Sequence, residues 1–203
     1  VWNDLSSRPW EMGWQGAVIP EEYGGAGFGY LELVLIAQEL GRALSPIPFG
    51  SSVYLATEAI LLAGSDTQRK KWLSALANGS AVGTLAFAEA PGFPSQASLK
   101  TTLAGGKLSG TKIAVPDGNV ATFAVVAARS NAGVSLALVD LAGPGVTRKA
   151  TESIDPTRAS AQISFKDAPA ELLGDEGRGW ELLERVLDRA AVIQAFEQLG
   201  GAE

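Results

Sequence analysis

Val82-Gly-Thr-Leu-Ala-Phe-Ala-Glu89, Leu108-Ser-Gly-Thr-Lys-Ile-Ala-Val-Pro-Asp-Gly118 and Ala161-Gln-Ile-Ser-Phe-Lys-Asp167 are short apolar runs broken by Gly, Asn, Asp and Pro. A compact antiparallel sheet reads this way, because each run is strand-length and each break is a turn former. Two further runs, Val120 to Ala127 and Val134 to Val139, are apolar enough to be interior strands. Leu103-Ala-Gly-Gly-Lys-Leu108 reads as a hairpin with Gly105-Gly106 at its tip. Residues 81–167 are therefore expected to form a β-domain, with any ligand on its surface.

Working outward, the apolar period lengthens to that of helices. On the N-terminal side Tyr30 to Leu44 places Leu31, Val34, Leu35, Leu40 and Leu44 at helical spacing, and Ser45-Pro-Ile-Pro48 stops it. Further helices are expected over about Val53 to Ala63 and Asp66 to Ala77. Ser65 and Gln68 fit a capping box for the second of these, and Asn78-Gly79 supplies its exit. Arg69, Lys70 and Lys71 read as a solvated helix face. Ser7 is placed to cap a short helix with Arg8 and Pro9 in its first turn. The glycine-rich stretch Ala17 to Gly29 has no preceding strand and no Lys-Ser/Thr ending, so it reads as a flexible turn between helices rather than a phosphate-binding loop. On the C-terminal side a helix runs from about Gly179 through Glu197, with Trp180, Leu183, Leu187, Ala190 and Ala191 at helical spacing. The expected class is α+β: an N-terminal helical domain (1–80), a middle antiparallel β-barrel or sandwich (81–167), and a lead-in with the first helix of a C-terminal helical domain (168–203).

Composition narrows the chemistry. With 46% apolar residues in 203, the chain can bury a substantial core. Sixteen basic against 22 acidic side chains argue against a nucleic-acid partner, which needs a basic patch. The absence of Cys removes thiol catalysis and disulfides, and the absence of His removes the commonest general base and metal ligand. No metal site is expected. No apolar run approaches the roughly 20 residues that span a bilayer, and no signal segment is visible, so a cytoplasmic protein without membrane insertion is the expectation.

Taken together, the motifs resemble the acyl-CoA dehydrogenase family, flavoproteins that desaturate acyl-CoA thioesters between Cα and Cβ. Gly13-Trp-Gln-Gly-Ala-Val-Ile-Pro-Glu-Glu-Tyr-Gly-Gly-Ala-Gly27 is similar to the family's N-terminal Pro-Glu-x-x-Gly-Gly-x-Gly loop. Residues 66–79 resemble its Gly-x-x-x-Gln-Lys-x-x-x-Leu-x-x-Leu-x-x-Gly segment. Gly110-Thr-Lys112 resembles the Asn-Gly-x-Lys before the flavin-facing strand. Val134-Ser-Leu-Ala-Leu-Val139 with Gly143-Pro-Gly-Val146, then Asp155-Pro-Thr-Arg-Ala-Ser160 and Leu172-Leu-Gly-Asp-Glu-Gly-Arg-Gly179, follow in the family's order. The resemblance implies a C-terminal four-helix bundle of which this chain holds the start, and an acyl-CoA substrate. It implies a mechanism in which a carboxylate takes a Cα proton while hydride leaves Cβ for flavin N5. It also implies dimers or tetramers. No residue here maps onto the family's catalytic Glu; Glu197, in the first bundle helix, reads as a structural carboxylate.

The resemblance places the cofactor, FAD, against Leu85, Phe87, Ala88, Pro94, Ala114 and Pro116, and the substrate beside Ser95 and Arg158. Here the departures are concentrated. Where the family has Thr-Glu-Pro-x-x-Gly-Ser-Asp, this chain has Ala88-Glu-Ala-Pro-Gly-Phe-Pro-Ser95; where it has Trp-x-Thr, this chain has Ala114-Val-Pro116. Hydroxyls, an aromatic platform and a backbone donor are gone. At about 0.5–1.5 kcal/mol for each hydrogen bond and as much for stacking, four or five losses weaken flavin binding by about a thousandfold or more. Three readings stay open: a subunit of a heteromeric dehydrogenase whose sister chain holds the intact flavin site; a self-sufficient flavoenzyme using backbone groups; and a non-catalytic partner or ligand-binding subunit. Val115-Pro-Asp-Gly-Asn-Val-Ala121 and Phe196-Glu-Gln-Leu-Gly-Gly-Ala202 resemble the paired dehydrogenases of steroid side-chain and lipid breakdown. Arg158 is expected to hold its loop through a salt bridge, and Leu183, Leu187, Ala190 and Ile193 to form an exposed apolar stripe.

Overall fold

The computed structural model describes residues 12–203 except Phe93 and Pro156. The expected Ser7 cap lies outside these residues, as does the side chain of Phe93. Three helical pieces lead in: α1 (Tyr30–Arg42), α2 (Glu58–Ala63) entered through a π-helical run at Gly50–Thr57, and α3 (Asp66–Ala77). Seven strands follow: β1 (Gly83–Ala86), β2 (Thr102–Ala104), β3 (Lys107–Pro116), β4 (Phe123–Ser130), β5 (Gly133–Asp140), β6 (Val146–Thr151) and β7 (Ser160–Leu173). The chain closes on α4 (Gly179–Ala202).

Strand pairing closes a ring. β4 pairs with β5, β5 with β7, β7 with β3, β3 with β2, and β2 returns to β4. β1 adds beside β4, and β6 beside the first half of β7. Two pairings, β1–β4 and β2–β4, are parallel, a departure from the wholly antiparallel expectation. Long connections produce it: β1 joins β4 only after the chain has made β2 and β3.

The alternation of β4 and β5 explains their continuous apolar runs. Ala124, Val126 and Ala128 face the barrel interior with Leu108, Ile163 and Phe165. Phe123, Val125 and Ala127 face outward against Ile60, Leu73, Leu183 and Val186 of the helices. Both faces of these strands are buried, so no polar alternation survives. Trp72 lies over Phe123 at 4.2 Å between ring centroids and fixes α3 on the barrel.

α3 begins as expected, with Ser65 Oγ accepting from Gln68 N–H and Gln68 Oε1 accepting from Ser65 N–H. Other expectations are corrected. β7 runs past residue 167 to Leu173, because Asp167 adopts φ +50 in a bulge that bends the strand without ending it. The turn at 17–29 is not loose: Ala26 N–H donates to Gly16 O, Gly27 N–H to Ile19 O and Phe28 N–H to Ala17 O. A Cβ at Gly25 would stand 2.0 Å from Ile19 O, so this close approach requires glycine. On α4, Leu183, Ala190 and Ile193 are buried and Leu187 is half-buried, so the stripe expected to be exposed is core. α1 carries the opposite surprise: Val34 and Leu40 are buried, whereas Leu31 and Leu35, and Leu44 just past its end, face solvent.

Candidate functional site

The π-helical run, the end of β3 and the middle of α4 meet around a cavity of about 400 Å3. Gly50-Ser51-Ser52 opens the run, and Phe49 packs edge-on against Tyr54 with centroids 5.6 Å apart. Wider π-helical turns recur at functional sites because they re-aim side chains. Leu55, Phe87, Pro116, Leu187, Ala190 and Ala191 give the cavity apolar walls. Ser51, Tyr54, Asp117, Arg158 and Gln194 add polar groups.

The polar groups are tightly arranged. Asp117 has φ +51, a conformation Asp tolerates better than most residues, and its N–H donates to Ala159 O at 2.9 Å. Ser51 Oγ donates to Asp117 Oδ2 at 2.7 Å. Burial pushes the Asp117 carboxyl up, opposed by the Ser51 bond and by the Arg158 charge. Arg158 donates to Glu197, a salt bridge in which Glu197 is almost wholly buried. That bridge ties the 153–160 loop to α4, as expected of Arg158, and gives Glu197 a structural partner. Burial and the Glu197 carboxylate together push the Tyr54 phenol well up.

A second cavity of about 360 Å3 shares Leu187 with the first and lies between the 94–96 loop and Trp180, Leu183 and Glu184 of α4. Pro94 and Ser95 line it. Ser95 is also the N-cap of the 96–98 turn, its Oγ accepting from Ser98 N–H at 3.3 Å. The loop is latched from below. Glu89 accepts from Lys112 Nζ at 2.6 Å, Lys100 N–H at 2.6 Å and Thr101 N–H at 2.9 Å. Burial would raise the Glu89 carboxyl, but the Lys112 ammonium and these donors outweigh it and hold it at about 2.

Of the eight residues named from sequence, Phe87, Pro116 and Arg158 meet at the first cavity, and Pro94 and Ser95 at the second. Leu85 is fully buried, its side chain in the core between barrel and helices. Ala88 and Ala114 sit where the end of β1 meets β3, with Ile113 N–H donating to Ala88 O at 2.9 Å. Ser51, Tyr54, Asp117 and Gln194 escaped the sequence reading. A run of polar side chains, Ser51-Ser52 and Tyr54, opening an otherwise apolar helix was the one signal available.

The comparisons with known proteins now bear on this geometry. Residues 3–80 match the acyl-CoA dehydrogenase N-terminal domain. The short-chain specific acyl-CoA dehydrogenase of Mus musculus is 33% identical over 95% of this chain and 51% of its own length. The chain belongs to the acyl-CoA dehydrogenase family. It spans about half the length of the curated relatives it matches. An acyl-CoA dehydrogenase from Bacillus anthracis, solved in complex with FAD, superposes with TM-score 0.90 at 27% identity, over 99% of this chain and 37% of that one. The Tcur3481-Tcur3483 steroid ACAD variant superposes with TM-score 0.80 at 30% identity, over 95% of this chain and 52% of that one.

Against this family background, the positions assigned to flavin are poor in hydrogen-bonding groups. Leu85, Phe87, Ala88, Pro94, Ala114 and Pro116 offer no side-chain donor or acceptor, and neither proline has an N–H. The Ala88 carbonyl is taken by Ile113 N–H and the Pro116 carbonyl by Thr84 Oγ1 at 2.6 Å. Lys112 Nζ reaches the Phe87 carbonyl at 3.3 Å. Their side chains supply none of the hydrogen bonds that would hold a flavin ring, which leaves only backbone N–H groups for that role. Among the described residues no cluster of His, Cys, Asp or Glu could hold a metal, and no helix is long and apolar enough to cross a membrane.

Proposed function

We propose that this chain is the acyl-binding part of a flavin-dependent acyl-CoA dehydrogenase that desaturates an acyl-CoA thioester between Cα and Cβ. It acts as one subunit of a heteromeric enzyme in which a related chain holds the flavin more tightly. One observation carries the acyl-binding reading: an apolar cavity of about 400 Å3 walled by three separate elements of the fold. Such a cavity desolvates a hydrocarbon chain, worth about 0.8 kcal/mol for each methylene buried. Leu55, Phe87, Pro116 and Leu187 exclude water from that chain, while the Arg158–Glu197 bridge holds the loop that closes one side.

The heteromeric part rests on the chain's own residues, since the six flavin-facing positions lack side-chain hydrogen-bonding groups. The likeness to a steroid ACAD points the same way and makes a bulky, largely apolar acyl group the substrate class.

Two measurements test this. Calorimetric titration with octanoyl-CoA should show saturable binding, with free CoA much weaker; equal affinities would overturn the acyl-binding reading. The visible flavin spectrum after purification should be nearly empty for the chain alone and full after co-expression with a related dehydrogenase subunit. One equivalent of FAD on the chain alone would favour a self-sufficient flavoenzyme. No flavin in either state would leave a non-catalytic acyl-CoA-binding subunit.

A further inference from the structure

Arg69 belongs to a basic run expected to face solvent, yet it is half-buried, while Lys70 and Lys71 stay exposed. It lines a third cavity, of about 430 Å3, between the turn from α2 into α3 and the start of α4. That volume lies within the range of small-molecule sites, about 300–1,000 Å3. Three arginines, Arg69, Arg178 and Arg185, and two carboxylates, Asp175 and Glu181, stand on its walls. Arg178 is paired with Glu181 at 2.5 Å. The other two arginines are not paired. Arg69 donates to Leu61 O at 3.0 Å, but its Nε is buried without an acceptor. No carboxylate among the described residues lies within ion-pair reach of it. Arg185 has neither a hydrogen bond nor an ion pair among the described residues.

We propose that this cavity binds a phosphate-bearing small molecule, its phosphate oxygens accepting from Arg69 and Arg185. The inference stands apart from the acyl-binding reading. Arg178, Glu181, Leu182 and Arg185 of the α4 region line this cavity, whereas Trp180, Leu183, Glu184 and Leu187 line the second. A half-buried guanidinium without a counter-charge costs free energy, and an oxyanion supplies that charge. Phosphate suits the site better than a lone carboxylate, because its three terminal oxygens can meet guanidinium forks from two elements at once. A cation would be set against three guanidinium groups, and an apolar ligand would leave Arg69 unpaired. Since Arg178 and Glu181 offset each other, two positive groups remain against Asp175. α4 also begins here with no side-chain cap, so the positive end of its dipole adds to the same field. The cavity is thus locally positive in a chain whose net charge is −6.

The test is a calorimetric titration of the full chain with pyrophosphate, repeated on Arg185→Gln, Arg69→Lys and Lys70→Gln. Lys70 is the control, being exposed and off the cavity. Pyrophosphate should saturate one site per chain and bind more weakly as salt is raised. Arg185→Gln should weaken it about tenfold or more, the worth of a charge-assisted hydrogen bond. Arg69→Lys keeps the charge but loses the fork, and should weaken it as well. Lys70→Gln should leave the affinity within about twofold, since a screened surface charge off the site contributes little. Arg185 is exposed and bonds nothing, so its result stands even if Arg69→Lys disturbs the contact with Leu61. Absence of saturable binding to the unaltered chain overturns the inference. Equal weakening by Arg185→Gln and Lys70→Gln overturns it too, since net charge alone would then be sensed. Parallel titrations with CoA identify the source of the phosphate. CoA affinity that falls with pyrophosphate affinity in Arg185→Gln supports the site and assigns it to the phosphates of the thioester substrate. CoA affinity that stays unchanged while pyrophosphate weakens supports the site and assigns it to a separate phosphate compound.

Discussion

Lys112 and Glu89 show how a single buried pair positions the cavity-side loop. The Lys112 side chain is 0% exposed and Glu89 11%, and Glu89 also gathers the N–H groups of Lys100 and Thr101. Glu89→Gln leaves the Lys112 ammonium buried without its counter-charge, which costs about 3–5 kcal/mol, read as a fall in the urea midpoint. Replacing both partners, with Lys112→Met and Glu89→Leu, should recover most of that loss. The pH dependence follows in sign. Glu89 is held at about 2, below its ordinary 4.5. Its stabilisation is complete above about pH 4.5 and is lost as pH falls toward 2, so acid unfolding of Glu89→Gln should be flatter over that window than that of the unaltered chain. The positions that the family resemblance assigns to flavin give a second test at this scale. Ala88→Thr with Pro116→Thr restores two hydroxyls and one N–H, and should raise FAD occupancy about tenfold or more by absorbance if the ring docks there.

Between elements, the contact of α1 with α4 depends on glycine. A Cβ at Gly41 would stand 1.8 Å from Glu197 O, and one at Gly200 would stand 1.8 Å from Gln38 O. The helix backbones touch there, and no side chain fits between them. Gly200→Ala should therefore part the helices and cost about 1–3 kcal/mol, a Tm fall of about 3–10 °C by calorimetry. Gly201→Ala meets nothing nearer than 3.5 Å and should be tolerated. The same helix pair is braced at its other end by Tyr30, Arg189 and Glu58. Tyr30 donates to Glu58 at 2.7 Å and Arg189 bonds both. Burial and the Glu58 carboxylate push the Tyr30 phenol up to about 12. Gly41 and Arg189 thus fix where α4 lies, and with it Leu187, Ala190 and Ala191 on the cavity wall.

At the scale of the whole molecule, nothing among the described residues packs on the outer side of α1. Leu31 is 78% exposed and Leu35 62%, with Phe28 just before the helix at 54%. On α4, Val192 and Leu199 are exposed as well. Grouped apolar exposure of this kind marks association surfaces in soluble proteins. The chain is expected to run larger than a 21.0 kDa monomer in sedimentation velocity, and Leu31→Glu with Leu35→Lys to shift it toward the monomer. A monomer before substitution would show that this surface is tolerated in solution.

Local patterns determined much of this protein. The Ser65–Gln68 box, the Gly105-Gly106 hairpin tip, the length of α3 and the apolar runs of β4 and β5 depend on neighbours in the chain, so the sequence carried them directly. The family was legible for the same reason, since its motifs are local and ordered. Tertiary structure decided the rest. Which face of an apolar helix is buried depends on what packs against it: α1 turns Leu31 and Leu35 outward, while α4 buries Leu183 and Ile193. β1 and β4 became parallel neighbours through a connection of more than thirty residues, which no local period reports. The cavity joins Tyr54, Asp117, Arg158 and Gln194 from four distant segments. Asp117 reads as a turn residue in the sequence; burial, Ser51 from another element and the open space beside it make it part of a site.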